Sequence, residues 1–209
     1  MSDIDKNRRP IKTRSASWAI KSAAFLAAAN ISPNQISVFS IYFATVGASL
    51  LLLYPTHVVG LVGCALATQM RLVCNLLDGM VAVEGGKKSP LGQLYNEFPD
   101  RIADSLLIVA LGYACGLPAL GWFGALVAAL TAYVRVFGGM LGFPQDYRGP
   151  MAKQQRMAVV TAGSLFGAAE QILVGTLYAL TLASALIAIG SIATCITRTG
   201  AIARQLKGA

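Results

Sequence analysis

Long apolar stretches, separated by short polar or Gly- and Pro-containing breaks, recur along the chain at about residues 34–54, 59–83, 92–116, 119–141, 155–174 and 177–201. Each is close to the ~20 residues that a helix needs to cross ~30 Å of hydrocarbon. The pattern predicts an all-α fold: a polytopic membrane protein with six transmembrane helices. Ahead of them, "SASWAIKSAAFLAAANISPNQIS" mixes Trp18, Ile20, Phe25 and Leu26 with Ser15, Ser17, Lys21 and Ser22. That mixture predicts a cytoplasmic amphipathic helix lying in the membrane interface and closed by Pro33, with a frayed extension of the first span as the alternative. No internal repeat is visible. Residues 1–33 are therefore expected to form a basic tail and interfacial helix, and residues 34–209 one six-helix transmembrane domain.

Composition strengthens this picture. The 209 residues are 56% hydrophobic and 12% charged, about half the charge of a soluble domain, and the mean hydropathy is +0.62. The first 15 residues are polar and basic, and the apolar stretch after them lacks a small-residue cleavage pattern, so no removable signal peptide is expected. Lys and Arg avoid the breaks "YPTH", "GLPALG" and the stretch around "EQILVG". The positive-inside rule then places both termini and the loops at 84–91 and 142–154 in the cytoplasm, in the inner or plasma membrane of a bacterium. The net charge of +8 faces anionic lipid headgroups, and no nucleic-acid partner is expected. Cys64, Cys74, Cys115 and Cys195 occur singly without metal-ligand spacing, and His57 is isolated in "YPTHVVG".

Against this background the acids are concentrated: Asp78, Glu84, Glu97, Asp100 and Asp104 lie between residues 74 and 106, together with Arg101. Ionisable groups at membrane depth are costly, and so mark a candidate functional site. In the second predicted span Arg71, Asn75, Asp78, Gly79 and Ala82 share one helical face. Gly79 and Ala82 leave the backbone bare beside a carboxylate, which suits either a ligand seat or tight helix packing. The third span is expected to open with Ser89 as N-cap and Pro90 as first helical residue. With Asp100 at zero on a wheel of about 100° per residue, Asn96 falls near about −40°, Asp104 about +40°, Glu97 about +60° and Gly92 about −80°. Three carboxylates on one face, opposite Asp78, repel unless cations separate them. A hard divalent cation such as Mg²⁺ or an arginine would serve.

These residues resemble the CDP-alcohol phosphotransferase family, whose pattern is D-x-x-D-G-x-x-A-R-x8-G-x3-D-x3-D. Here Asn75, Asp78, Gly79, Ala82, Val83, Gly92, Asn96 and Asp100 keep all the spacings. Asn75, Val83 and Asn96 stand where the pattern has aspartate, arginine and aspartate. The six-span topology, the leading amphipathic helix and "SPNQIS" are also similar to the family, so the likeness covers most of the chain. It implies a metal-dependent transferase that moves a phosphatidyl group from CDP-diacylglycerol, or a related CDP-alcohol, to a small polar alcohol with release of CMP. Asp78 and Asp100 would hold Mg²⁺ or Mn²⁺, one ion or two, with Asn75, Asn96, Glu97 and Asp104 as further candidate ligands. Asn75, Asp78, Gly79, Ala82 and Gly92 would seat the nucleotide, and Asp100 would be the general base. Arg101, Arg135, Arg148, Lys153 and Arg156 would receive the acceptor or its phosphate, unless they merely fix topology. Family members form homodimers.

The departures leave three accounts open. Two divalent cations need about four negative charges, and Asp78 and Asp100 supply half of that. Glu97 and Asp104 could restore the count in a rotated cluster; a single ion could bind; or the chain could be a non-catalytic binder of CDP-lipid or nucleotide. Arg71 is expected about 10 Å deeper than Asp78, and Asp104 about 6 Å deeper than Asp100, at ~1.5 Å per residue, so that the two could pair. Lys87, Lys88 or Arg101 could replace the arginine absent at Val83. A transporter or channel is disfavoured, since polar groups gather at one end of the spans rather than along several.

Overall fold

The computed structural model describes residues 16–83, 85–87 and 89–208, all of it helix and short connections. Seven helices follow in order: α1 Ser17–Ala28, α2 Pro33–Leu53, α3 Val58–Val83, α4 Gly92–Ala114, α5 Pro118–Met140, α6 Lys153–Leu173 and α7 Tyr178–Lys207. The basic tail through Ser15, together with Glu84 and Lys88, lies outside the described residues.

Local chemistry sets the helix ends. Ser32 and Gln35 form a reciprocal capping box, with Gln35 N–H donating to Ser32 Oγ at 3.2 Å and Ser32 N–H to Gln35 Oε1 at 2.8 Å. Pro33 is the first residue of α2, where its missing N–H is harmless. It therefore opens α2 instead of closing the helix before it. That helix stops at Ala28, and Asn30 turns the chain with φ 58°. Ser89 does not cap α4, because the turn through Pro90 and Leu91 delays the helix to Gly92; the Ser89 hydroxyl instead accepts a 3.3 Å bond from Asn34 Nδ2 at the head of α2.

Four helices, α2, α3, α5 and α7, are long and apolar enough to cross a membrane. The other two expected spans exist as helices of 23 and 21 residues, α4 and α6, but fall short on composition. Glu97, Asp100, Arg101 and Asp104 lower the apolarity of α4, and Lys153, Arg156 and Glu170 that of α6. The chain is thus a helical membrane protein whose two least apolar long helices, α4 and α6, contribute buried Asp100, Asp104 and Arg156 to an interior that also holds Arg71, Asp78, Arg135 and Arg198.

Helix α2 packs on α3 and α4, α6 on α3 and α7, and α5 on α4 and α7, while α1 lies across α3. Leu51, Leu61, Leu107, Ile108, Leu111 and Ile187 build the main core. Backbones approach closely where α4 meets α5: a Cβ on Gly112 would sit 2.5 Å from Gly121 Cα, so only glycine fits. Beneath α1, Ala19 and Ala23 seal against Ile36, Leu77, Met80 and Val81. Trp18, Ile20 and Phe25 of the same helix project outward.

Candidate active site

Three clusters of charge sit along α4, each set by how far up that helix its acid lies. The deepest centres on Asp104, buried to 2% exposure. Arg71 Nη2 of α3 donates to its Oδ1 at 2.6 Å, and Arg156 Nη2 of α6 to its Oδ2 at 2.8 Å. Arg156 also donates to Thr131 Oγ1 at 3.1 Å and to the Met151 carbonyl at 2.8 Å. Both guanidiniums are buried. A carboxylate clasped by two arginines is satisfied at both oxygens, and neither oxygen is left for another ligand.

One turn nearer the helix start, Asp100 has a different set of neighbours. Lys153 Nζ, from the first residue of α6, bonds Oδ2, while Asn75 Nδ2 donates to Oδ1 at 3.0 Å. Arg71 Nη2 reaches the same Oδ1 at 3.4 Å, and Arg101 Nη2 lies 3.8 Å from Oδ2. Pro99, buried inside α4, has no N–H for the Tyr95 carbonyl and loosens the helix one residue before this acid. Across on α3, Asp78 is also buried, and Ser37 Oγ of α2 donates to its Oδ2 at 2.6 Å. Gly79 and Ala82 beside it are half-buried. At Gly92 a Cβ would meet nothing within 4 Å, so the head of α4 is open space.

The third cluster belongs to Glu97. Both its oxygens accept from Arg135 Nη2, at 2.6 and 2.7 Å. Arg135 donates further to Gln145, and its guanidinium lies over the Tyr147 ring, 5.3 Å from the centroid. Glu97 is thereby turned toward α5 and the α5–α6 loop, away from Asp78. In that loop Asp146 accepts from the Arg148 backbone N–H and from Nε and Nη2, each at 2.9 Å. The Arg148 guanidinium holds the Asp146 carboxyl below the usual carboxylate range. Arg198 of α7 donates to the Arg148 carbonyl at 2.9 Å and to the Thr131 carbonyl at 2.6 Å, and Met151 N–H donates to Thr194 Oγ1 at 2.9 Å.

The structure therefore brings Asn75, Asp78, Asp100 and Lys153 together, with Arg101 at the margin, turns Glu97 away, and links Asp104 to Asp100 only through the shared Arg71 guanidinium. A rotated cluster in which Glu97 and Asp104 face Asp78 is not what the side chains form, because arginines from α3, α5 and α6 engage those acids first. Asn96 is exposed and outside the network. Among the described residues no three Asp, Glu, His or Cys side chains converge as a metal site. Lys87 is engaged elsewhere: its Nζ closes α1 by donating to the Ala27 carbonyl at 2.7 Å and to Asn30 Oδ1 at 3.3 Å. Sequence reasoning missed Ser37, Thr131, Gln145, Tyr147, Thr194 and Arg198. A hydroxyl in an otherwise apolar span was the available signal for Ser37, Thr131 and Thr194; loop residues Gln145 and Tyr147 offered none.

Membrane-length helices converging two buried acids, an amide and a lysine beside an open helix head define a helical membrane protein with a polar site at one end of the bundle. No family model matches the chain. Among curated proteins it is 30% identical over 177 residues, covering 80% of this chain and 76% of the relative, to phosphatidylinositol phosphate synthase of Corynebacterium glutamicum. It is 32% identical over 152 residues to the bifunctional IPC transferase and DIPP synthase of Rubrobacter xylanophilus, matching 70% of this chain but spanning only 34% of that longer protein. Among solved structures, Mycobacterium tuberculosis phosphatidylinositol phosphate synthase with CDP-DAG bound superposes with a TM-score of 0.74 at 20% identity, over 90% of this chain and 94% of that one. The same mycobacterial enzyme in complex with manganese and citrate gives 0.73 at 19% identity, over 88% of each chain. The chain belongs to the CDP-alcohol phosphotransferase family.

Proposed function

We propose that this chain is a metal-dependent phosphatidyltransferase of phospholipid biosynthesis, moving a phosphatidyl group from CDP-diacylglycerol to a small polar alcohol. The observation that carries the reading is the placement of Asp78 and Asp100 on facing helices, next to the bare backbone at Gly79, Ala82 and Gly92. Asp78, Gly79, Ala82 and Gly92 seat the nucleotide and its pyrophosphate. The acceptor hydroxyl oxygen bonds to the phosphorus that carries diacylglycerol, the bond from that phosphorus to the CMP oxygen breaks, and Asp100 takes the hydroxyl proton. Asp78 and Asp100, with the amide oxygen of Asn75, are hard donors that suit Mg²⁺ or Mn²⁺; Asn96, exposed one turn before Asp100, would join them only on turning inward. Such an ion would neutralise charge on the phosphates and improve CMP as a leaving group.

Arg101, whose Nε is buried without a hydrogen-bond partner, stands in for the arginine absent at Val83. Arg148, which is exposed, receives the acceptor. The Corynebacterium glutamicum and Mycobacterium tuberculosis proteins are phosphatidylinositol phosphate synthases, so inositol phosphate is the acceptor to try first. Arg135 and Arg156 act at one remove, by fixing Glu97 and Asp104. A shallow groove between α1 and α3, lined by Lys21, Ser22, Phe25, Leu26 and Leu77, suits part of the lipid donor.

All six long helices span the membrane of a bacterium in this reading, with α1 in the interface and both termini cytoplasmic. The lysine and arginine distribution supports that orientation. Outward Trp122, Leu126, Leu130, Tyr133 and Phe137 on α5 offer a face for lipid or for the second copy of a homodimer. The test is CMP release from CDP-diacylglycerol and inositol phosphate with Mg²⁺ or Mn²⁺. Asp78→Ala and Asp100→Ala should each abolish it. Nucleotide binding without release, for any alcohol tried, would instead establish a non-catalytic binder.

A further inference from the structure

The two asparagines and Lys153 change how many cations this site accepts. Both Asp100 oxygens are already engaged: an ammonium bonds one, and an amide N–H and a guanidinium share the other. Position 75 can bond Asp100 in this way only as an amide, because an aspartate there would present a second negative charge to the first. The other acids are already neutralised, Asp104 by Arg71 and Arg156, and Glu97 by Arg135. Within the bundle, Asp78, Asp100 and Asp104 face Arg71, Lys153 and Arg156, and Arg101 adds a further cation 3.8 Å from Asp100, so the site has no spare negative charge. Each divalent cation would add two positive charges, and the two phosphate charges of a CDP-lipid offset those of one ion. A second would leave two positive charges uncompensated in a low-dielectric site.

We propose that this site holds a single divalent cation, at Asp78, and that the Lys153 ammonium takes the place of a second one on Asp100. Lysine suits the position, being a compact point charge on a flexible stem. Its anchoring at the first residue of α6, with Met151 and Ala152 buried just before it, fixes where that charge falls. Its side chain is 22% exposed, so a bound phosphate can share it with Asp100. The proposal rests on the reading that the site binds a divalent cation, but not on the chain's being an active transferase.

Mn²⁺ is the probe. The full-length protein in detergent, with CDP present, is titrated with Mn²⁺ and followed by electron paramagnetic resonance and calorimetry. One Mn²⁺ per chain is expected, with the six-line spectrum of an isolated ion. Lys153→Met combined with Asn75→Asp and Asn96→Asp should take up a second Mn²⁺ and show the broadened, exchange-coupled signal of a pair, while Lys153→Arg should stay at one. Two ions in the wild-type protein would overturn the proposal, as would none at millimolar Mn²⁺, or a single ion in a triple variant that still elutes as a folded species. CMP release is measured separately. One bound ion without transfer removes the enzymatic reading and leaves this one standing; transfer with two bound ions does the reverse.

Discussion

Asp100 and Asp104 are one helical turn apart on the same helix, and their surroundings assign them different work. Asp104 is sealed by two buried arginines, one of which, Arg156, is itself held by Thr131. Asp100 is bonded by an amide and by a lysine whose side chain is 22% exposed, with Arg71 farther off at 3.4 Å. A step of ~6 Å along a helix axis thus separates an acid closed off by two buried guanidiniums from one whose lysine partner still reaches solvent. Residue type and spacing alone do not distinguish the two; what each acid's neighbours leave available does.

The largest consequence of breaking that contrast falls on the knot. Asp104→Asn removes the counter-charge of two buried guanidiniums and should cost about 3–5 kcal/mol, seen as a lower melting temperature in detergent. Replacing Arg71 and Asp104 together by Met and Leu should recover part of the loss, and failure to recover any would show that Arg156 alone governs the site. Next comes Ser37→Ala, which strips Asp78 of a buried hydroxyl donor and should cost about 1.5–3 kcal/mol by the same measurement. Glu97→Gln weakens a pair between a buried Arg135 and a Glu97 side chain that is 32% exposed, and should cost about 1 kcal/mol. Its dependence on Mn²⁺ concentration should match the wild type; a weakened metal requirement would return Glu97 to the metal site. The smallest effect concerns Asp146. Its folded-state pKa is depressed by Arg148, so its stabilisation is present above the unfolded value of about 3.9 and is lost as pH falls through the folded one. The stability difference between wild type and Asp146→Asn should therefore shrink on acidification from pH 6 and vanish at the acid end.

Helix positions were legible because apolar length is a local property. Expected spans at 34–54, 59–83 and 119–141 meet Pro33–Leu53, Val58–Val83 and Pro118–Met140 almost end for end. The shared face of Asn75, Asp78, Gly79 and Ala82 follows from helical period in the same way. Partners were not legible, because they depend on which helix crosses which. Nothing local says that Lys153 reaches Asp100 across 53 positions, or that Arg135 meets Glu97 before Asp78 can. Arg71 and Asp104 were the exception: depth along two antiparallel spans is simple arithmetic, and it placed them level.

Helix α7 has 30 residues, about 45 Å at ~1.5 Å per residue, and so outlasts a hydrocarbon layer of ~30 Å. Arg198 and Thr194, near where it leaves that layer, bind the Arg148 carbonyl and the Met151 N–H. Gly149, with φ 124°, fits between them because any side chain there would strike Thr194. The loop beside Lys153 is thereby moored to a rigid mast before any ligand arrives. Its conformational entropy is surrendered during folding, so a ligand that reaches this loop has little backbone ordering left to impose.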